Sequence, residues 1–236
     1  MKLLSNFTGS SKDDIYLQSS AHAVGFWLSD PTGLNLSTIN LKIDFFSKNR
    51  GSKEIYPRMP LSVAFEMNTF EEGFYLHDAN IAKGMIKLSP DGSLHLEEGE
   101  YIKISFEGAK ETNVMNISSI DAPILSATYK AISAVTITGQ TKDLNVQDSS
   151  MLHLPISKID EIDIVYPTKT VKYSGIELEY LGRAINDLVS VNLAGTAVVA
   201  GFENYVSLSC YDAYKVAITP KTYDPFVIFT EKHKSF

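Results

Sequence analysis

The sequence predicts an all-β protein built as two consecutive antiparallel β-sandwiches, and three observations carry that expectation. Stretches in which apolar and polar residues alternate one by one recur in both halves of the 236-residue chain, which is the period of a strand with one buried face. Clusters of glycine, proline, serine and aspartate separate these stretches at short intervals, as antiparallel sheets need. No helix of three turns stands out across residues 25–125. The length exceeds one average domain, and a balance of 44% apolar and 21% charged residues is that of an ordinary folded chain with core enough to dispense with disulfides.

Residues 1–24 read as a polar, weakly patterned N-terminal arm. Phe7, Ile15, Tyr16 and Leu17 are its scattered anchors, suited to ordering against a neighbouring subunit. The first sandwich is expected over residues 25–125, where Trp27, between Phe26 and Leu28, anchors a core or an interface. Residues 39–45 alternate without a break and send Ile39, Leu41, Ile43 and Phe45 inward. Residues 61–67 and 101–106 share that period and read as strands, the second with Ile102, Ile104 and Phe106 on its core face. Pro57 and Pro60 cannot donate to a ladder, which places their segment at a sheet edge or entrance. The turns at 47–53, with Lys48, Arg50 and Lys53, and at 97–100, with three glutamates, read as solvated.

The second sandwich is expected over residues 126–236, after a linker marked by Pro123 between Asp121 and Tyr129. Strands are expected at 131–139, 162–166, 171–174 and 176–181, with a hairpin turn around Pro167. Ile162, Ile164, Val171 and Tyr173 should begin this core. A short helix is expected at 182–188, followed by strands at 189–193, 197–202, 205–211, 214–218 and 226–229. Residues 230–236 form a solvated tail in which Lys232 and Lys234 are available to acidic neighbours or lipid headgroups. A faint repeat links Ser37-Thr38-Ile39-Asn40 with Ser157-Lys158-Ile159-Asp160, each opening a strand, which fits duplicated β domains.

The chemistry-bearing residues do not assemble into a recognisable site in sequence. The net charge of -7 is spread along the chain, and the three cations of the 47–53 turn are too few to hold a nucleic acid, so no specific nucleic-acid binding is expected. No glycine-rich phosphate loop and no Gly-x-Ser-x-Gly elbow occurs. The histidines form no metal-ligand spacing: His77 beside Asp78 lies in a surface loop, and His95 and His153, each between two leucines, point away from the core. Cys210 alternates with strand residues and reads as a buried, inert thiol. Glu177 and Glu179 share a strand face and are the pair to test against glycoside hydrolysis; a polar solvent or interface face accounts for them better. Catalytic, cofactor-binding and metal residues are therefore all expected to be none. The opening residues lack the apolar run of a signal peptide or membrane span.

Residues 154–164, the turn after them and residues 171–181 give an alternating strand, a turn, a second strand and a short segment ending at Leu188; residues 37–67 repeat the arrangement. In this the chain resembles the double jelly-roll coat proteins of tailless icosahedral viruses, above all the small coats of membrane-containing bacteriophages. The resemblance is architectural and spans residues 25–230. It implies a double jelly roll, a non-enzymatic capsid subunit of the virion made in the host cytoplasm, and homotrimeric tiles. It further implies contact with other virion proteins and with an internal lipid membrane. A non-enzymatic binding or adhesion protein, carbohydrate-binding included, and a carbohydrate-active enzyme are the alternatives the residues leave open.

Overall fold

The computed structural model describes residues 2–8, 14–69, 75–77, 79–186 and 205–236. They fall into two compact units, the first made of residues up to Ala131 together with His233–Phe236, the second of residues from Ile132 to 186 and from 205 to Lys232. In the first unit the chain runs β1 (Lys2–Thr8), β2 (Ile15–Leu17), β3 (Ala23–Ser29), β4 (Asn40–Phe46), β5 (Lys53–Pro60), α1 (Leu61–Thr69), β6 (Tyr75–His77), β7 (Ile81–Lys87), β8 (Ser93–Leu94), β9 (Tyr101–Glu107), β10 (Val114–Ile120) and β11 (Leu125–Ser126). One sheet has the order β1-β10-β3-β7-β6 and the other β2-β9-β4-β5, while β8 and β11 form a short parallel pair.

The alternation of residues 39–45 does what the period dictates. Leu41, Ile43 and Phe45 are fully buried and meet Phe106, Ile104 and Ile102 of β9 across the ladder. Phe26 and Leu28 of β3 also enter this core, whereas Trp27 between them is half-buried on the other face. β5, which carries both prolines, is the edge strand expected of it.

The second unit runs from β12 (Thr128–Ile137), which begins in the first unit, through β13 (Lys142–Asn145), β14 (Met151–Pro155), β15 (Ile159–Val165), β16 (Thr170–Ser174), α2 (Gly175–Asn186), β17 (Tyr205–Ser209) and β18 (Lys215–Pro220) to β19 (Phe226–Ser235). Its sheets are β12-β19-β14-β17 and β13-β18-β15-β16. Ile162 and Ile164 are buried with Leu152, Leu154, Val216 and Ile218, and Tyr173 packs against them, while Val171 is half-buried. The β15–β16 hairpin turns at Pro167 as the sequence suggests.

Both units share one wiring. With the eight main strands of each unit numbered in chain order, one sheet reads 1-8-3-6 and the other 2-7-4-5, with a helix after strand five. In the first unit β6 is added beyond strand six. This is the jelly-roll connection, made twice. The repeat extends to single residues. Single-turn 3-10 helices at Leu36–Thr38 and Ile156–Lys158 precede Ile39 and Ile159, which lead into strand four of each unit. The Ile39 carbonyl accepts from Leu61 N at the start of α1 (2.8 Å), and the Ile159 carbonyl lies against Gly175 at the start of α2. Gly108, at φ +81°, has no room for a side chain against the Thr38 carbonyl, which sits at the equivalent corner to Lys158, whose carbonyl accepts from Lys221 N (2.9 Å).

Several expectations are corrected. Residues 2–8 and 15–17 are not a loose arm: β1 pairs with β10 and β2 with β9, and Ile15 and Leu17 are buried. They are strands one and two of the jelly roll; the three residues of β2 are too few to show a period, and β1 mixes polar with apolar positions; the Phe7 side chain lies outside the described residues. Residues 61–67 are helical because α1 is buried on every side, Ser62, Ala64 and Glu66 included, so the alternation had no surface to report. Residues 176–181 belong to α2, not to a strand. The tail is the continuation of β19, with Thr230 and Glu231 buried. The strands expected at 189–193 and 197–202 lie outside the described residues.

Candidate functional site

The two turns read as solvated meet each other in the first unit. The Arg50 guanidinium donates through Nε to Glu100 Oε1 at 2.8 Å, through Nη2 to Glu100 Oε2, and through Nη2 to the His95 carbonyl at 3.2 Å. Glu100 is buried, and the Arg50 hydrogen bonds hold its carboxyl at about 2, well below the usual carboxylate range. The guanidinium also lies 4.2 Å over the Phe236 ring, which stacks on Tyr129 (4.8 Å between centroids) and tilts against Phe45 (4.4 Å). This clamp fastens residues 233–236 to the first sandwich. A bidentate pair between two remote turns leaves no signal in linear spacing, and only the arginine's suitability for such a fork hinted at it.

Glu177 and Glu179, the pair weighed against glycoside hydrolysis, are on a helix and not on one strand face. Two residues apart on α2 they point to different sides of the helix. Glu177 Oε2 accepts from Ser174 N (2.7 Å) and Ser174 Oγ (2.8 Å), a capping box at the start of α2. These bonds lower the Glu177 carboxyl below its ordinary value. The Ser-x-x-Glu spacing was in the sequence and is the signal that the strand reading overrode.

His153 does not point to solvent. It is 1% exposed, its Nδ1 lies 2.7 Å from Ser207 Oγ, and its Nε2 lies 3.6 Å from Glu231 Oε2, a carboxylate that is itself buried. Every residue of β14 is buried, so outward-facing positions on this strand are not wet. His95 is exposed, and His22 Nδ1 lies 2.9 Å from the Gly92 carbonyl. Asp78 and the His77 side chain lie outside the described residues. Cys210 is buried, and burial pushes its thiol up to about 12. Among the described residues no group of three or more His, Cys, Asp or Glu is placed to hold a metal, and no helix is long and apolar enough to cross a membrane.

What remains for interaction is surface. The outer face of the β2-β9-β4-β5 sheet carries ion pairs between Lys42 and Asp44 (2.9 Å), Lys103 and Asp14 (2.8 Å), and Arg58 and Glu107 (2.7 Å). The corresponding sheet of the second unit carries Lys172 with Glu161 (2.7 Å) and Lys215 with Asp143 (2.6 Å). Solvated pairs of this kind add little stability, but charges on and beside edge strands discourage unplanned strand pairing. Exposed apolar side chains include Leu3, Tyr16, Ile124 and Leu125 in the first unit, Tyr16 lying opposite Lys103 across the β2–β9 ladder, and Ile176, Tyr180, Tyr211, Tyr214 and Tyr223 in the second.

Two jelly rolls in tandem, with no assembled reaction centre among the described residues, define a double jelly-roll architecture. The chain is similar over 100% of its length, and 97% of the other's, to the major capsid protein P2 of bacteriophage PM2, with a TM-score of 0.58 and 12% identity. It is similar to the STIV MCP at a TM-score of 0.50 and 9% identity, covering 99% of this chain and 95% of that one. A structure of Sulfolobus Turreted Icosahedral Virus aligns at a TM-score of 0.52 and 9% identity, over 99% and 89% of the two chains. At these identities the likeness is one of fold, and the fold is that of the double jelly-roll coat proteins of tailless icosahedral viruses. No family model and no curated protein matches the chain.

Proposed function

We propose that this chain is a structural subunit of a virion: a coat protein whose two jelly rolls form one tile, with three copies associating into a trimer. The reading rests on one observation above all, the same eight-strand wiring made twice along a chain that aligns end to end with capsid proteins. Among the described residues the edge strands β1, β5, β12 and β16 have a strand partner on one side, and subunit association is a physical means of covering such edges. On this reading the protein has no catalytic, cofactor or metal residues, its partners are further copies and other virion proteins, and one end of the tile meets an internal lipid membrane. No specific nucleic-acid binding belongs to it, and its place is the capsid, after synthesis in the host cytoplasm.

The test is mass in solution together with an electron image. Sedimentation should give trimers, and images of assembling material should show closed shells or flat tilings. A compact monomer at high protein concentration, in both low and high salt, would overturn the coat assignment.

A further inference from the structure

We draw no further inference here: the strongest candidate, the apolar surface patch on α2 where Ile176 and Tyr180 stand exposed one turn apart, carries nothing because nothing in the structure shows what covers it.

Discussion

Arg50 and Glu100 show how much a single pair can decide when both partners leave water. Protonating Glu100 in the folded protein requires breaking its fork with Arg50, so its carboxyl titrates at about 2. A carboxyl lowered on folding contributes stability that is fully present above its unfolded value and is lost as pH falls toward the folded one. The loss therefore belongs to the interval from the ordinary carboxylate range down to about 2. Glu100→Gln should cost about 2 kcal/mol at neutral pH, the scale of a hydrogen bond to a charged group, and its urea midpoint should vary less with acidification than that of the parent. Parallel curves for the two proteins between pH 7 and about 3 would sink this account. Cys210 answers a different question at the same scale. With its thiol buried and pushed up to about 12, it should resist iodoacetamide at neutral pH until the second unit unfolds.

At the scale of elements, α1 depends on one close approach. A Cβ on Gly84 of β7 would stand 2.7 Å from the Phe65 ring, so the helix lies on the sheet at a distance that only glycine permits. Gly84→Ala should destabilise by about 1–3 kcal/mol through overpacking, and Phe65→Leu in the same chain should recover part of that loss. Asn68 ties the same helix down. Its Oδ1 accepts from Lys87 N (2.8 Å) and its Nδ2 donates to the Ala64 carbonyl (2.8 Å). On α2, Ser174→Ala should cost about 1 kcal/mol by removing the cap, read as a lower melting temperature.

These two helices mark the limit of what was legible. β4, β9 and β15 each have one wet and one dry face, so burial is written into the sequence as alternation, and their core residues could be read directly. Residues 61–68 have no wet face, and an alternation that arises there by chance imitates a strand. Residues 176–181 also alternate, but the Ser174–Glu177 box starts a helix, and local capping outranks a period seen over six residues. The second strand was missed for the opposite reason: Ile15–Leu17 gives too few positions to show any period. Of the candidate site, the burial of Cys210 was legible. The Arg50–Glu100 pair and the burial of His153 were not, because each depends on residues brought together from separate turns or strands.

At the scale of the whole molecule, each unit has its own apolar core, and damage to one should be readable apart from the other. Ile164→Asp places an unpaired charge among Ile162, Leu152 and Val216 and should cost more than about 3 kcal/mol. It should expose Cys210, which lies in that cluster, to alkylation. Ile104→Asp does equal damage in the first unit, yet Cys210 should stay protected for as long as the second core holds. Equal alkylation rates in the two variants would show instead that the units melt as one. Deleting residues 2–17 should abolish the melting transition of the first unit, since β1 contributes a strand to one of its sheets and β2 to the other.

In both units strand one is hydrogen-bonded to strand eight. Each roll therefore begins and ends at one place, as a ring does at its clasp. The link from β10 to β12 needs only residues 121–127, part of which forms the short strand β11. A gene encoding one such roll can be copied in line with itself without rethreading a strand or opening a sheet, and the matched corners at Ile39 and Ile159 are what an ancestral copying event would leave behind.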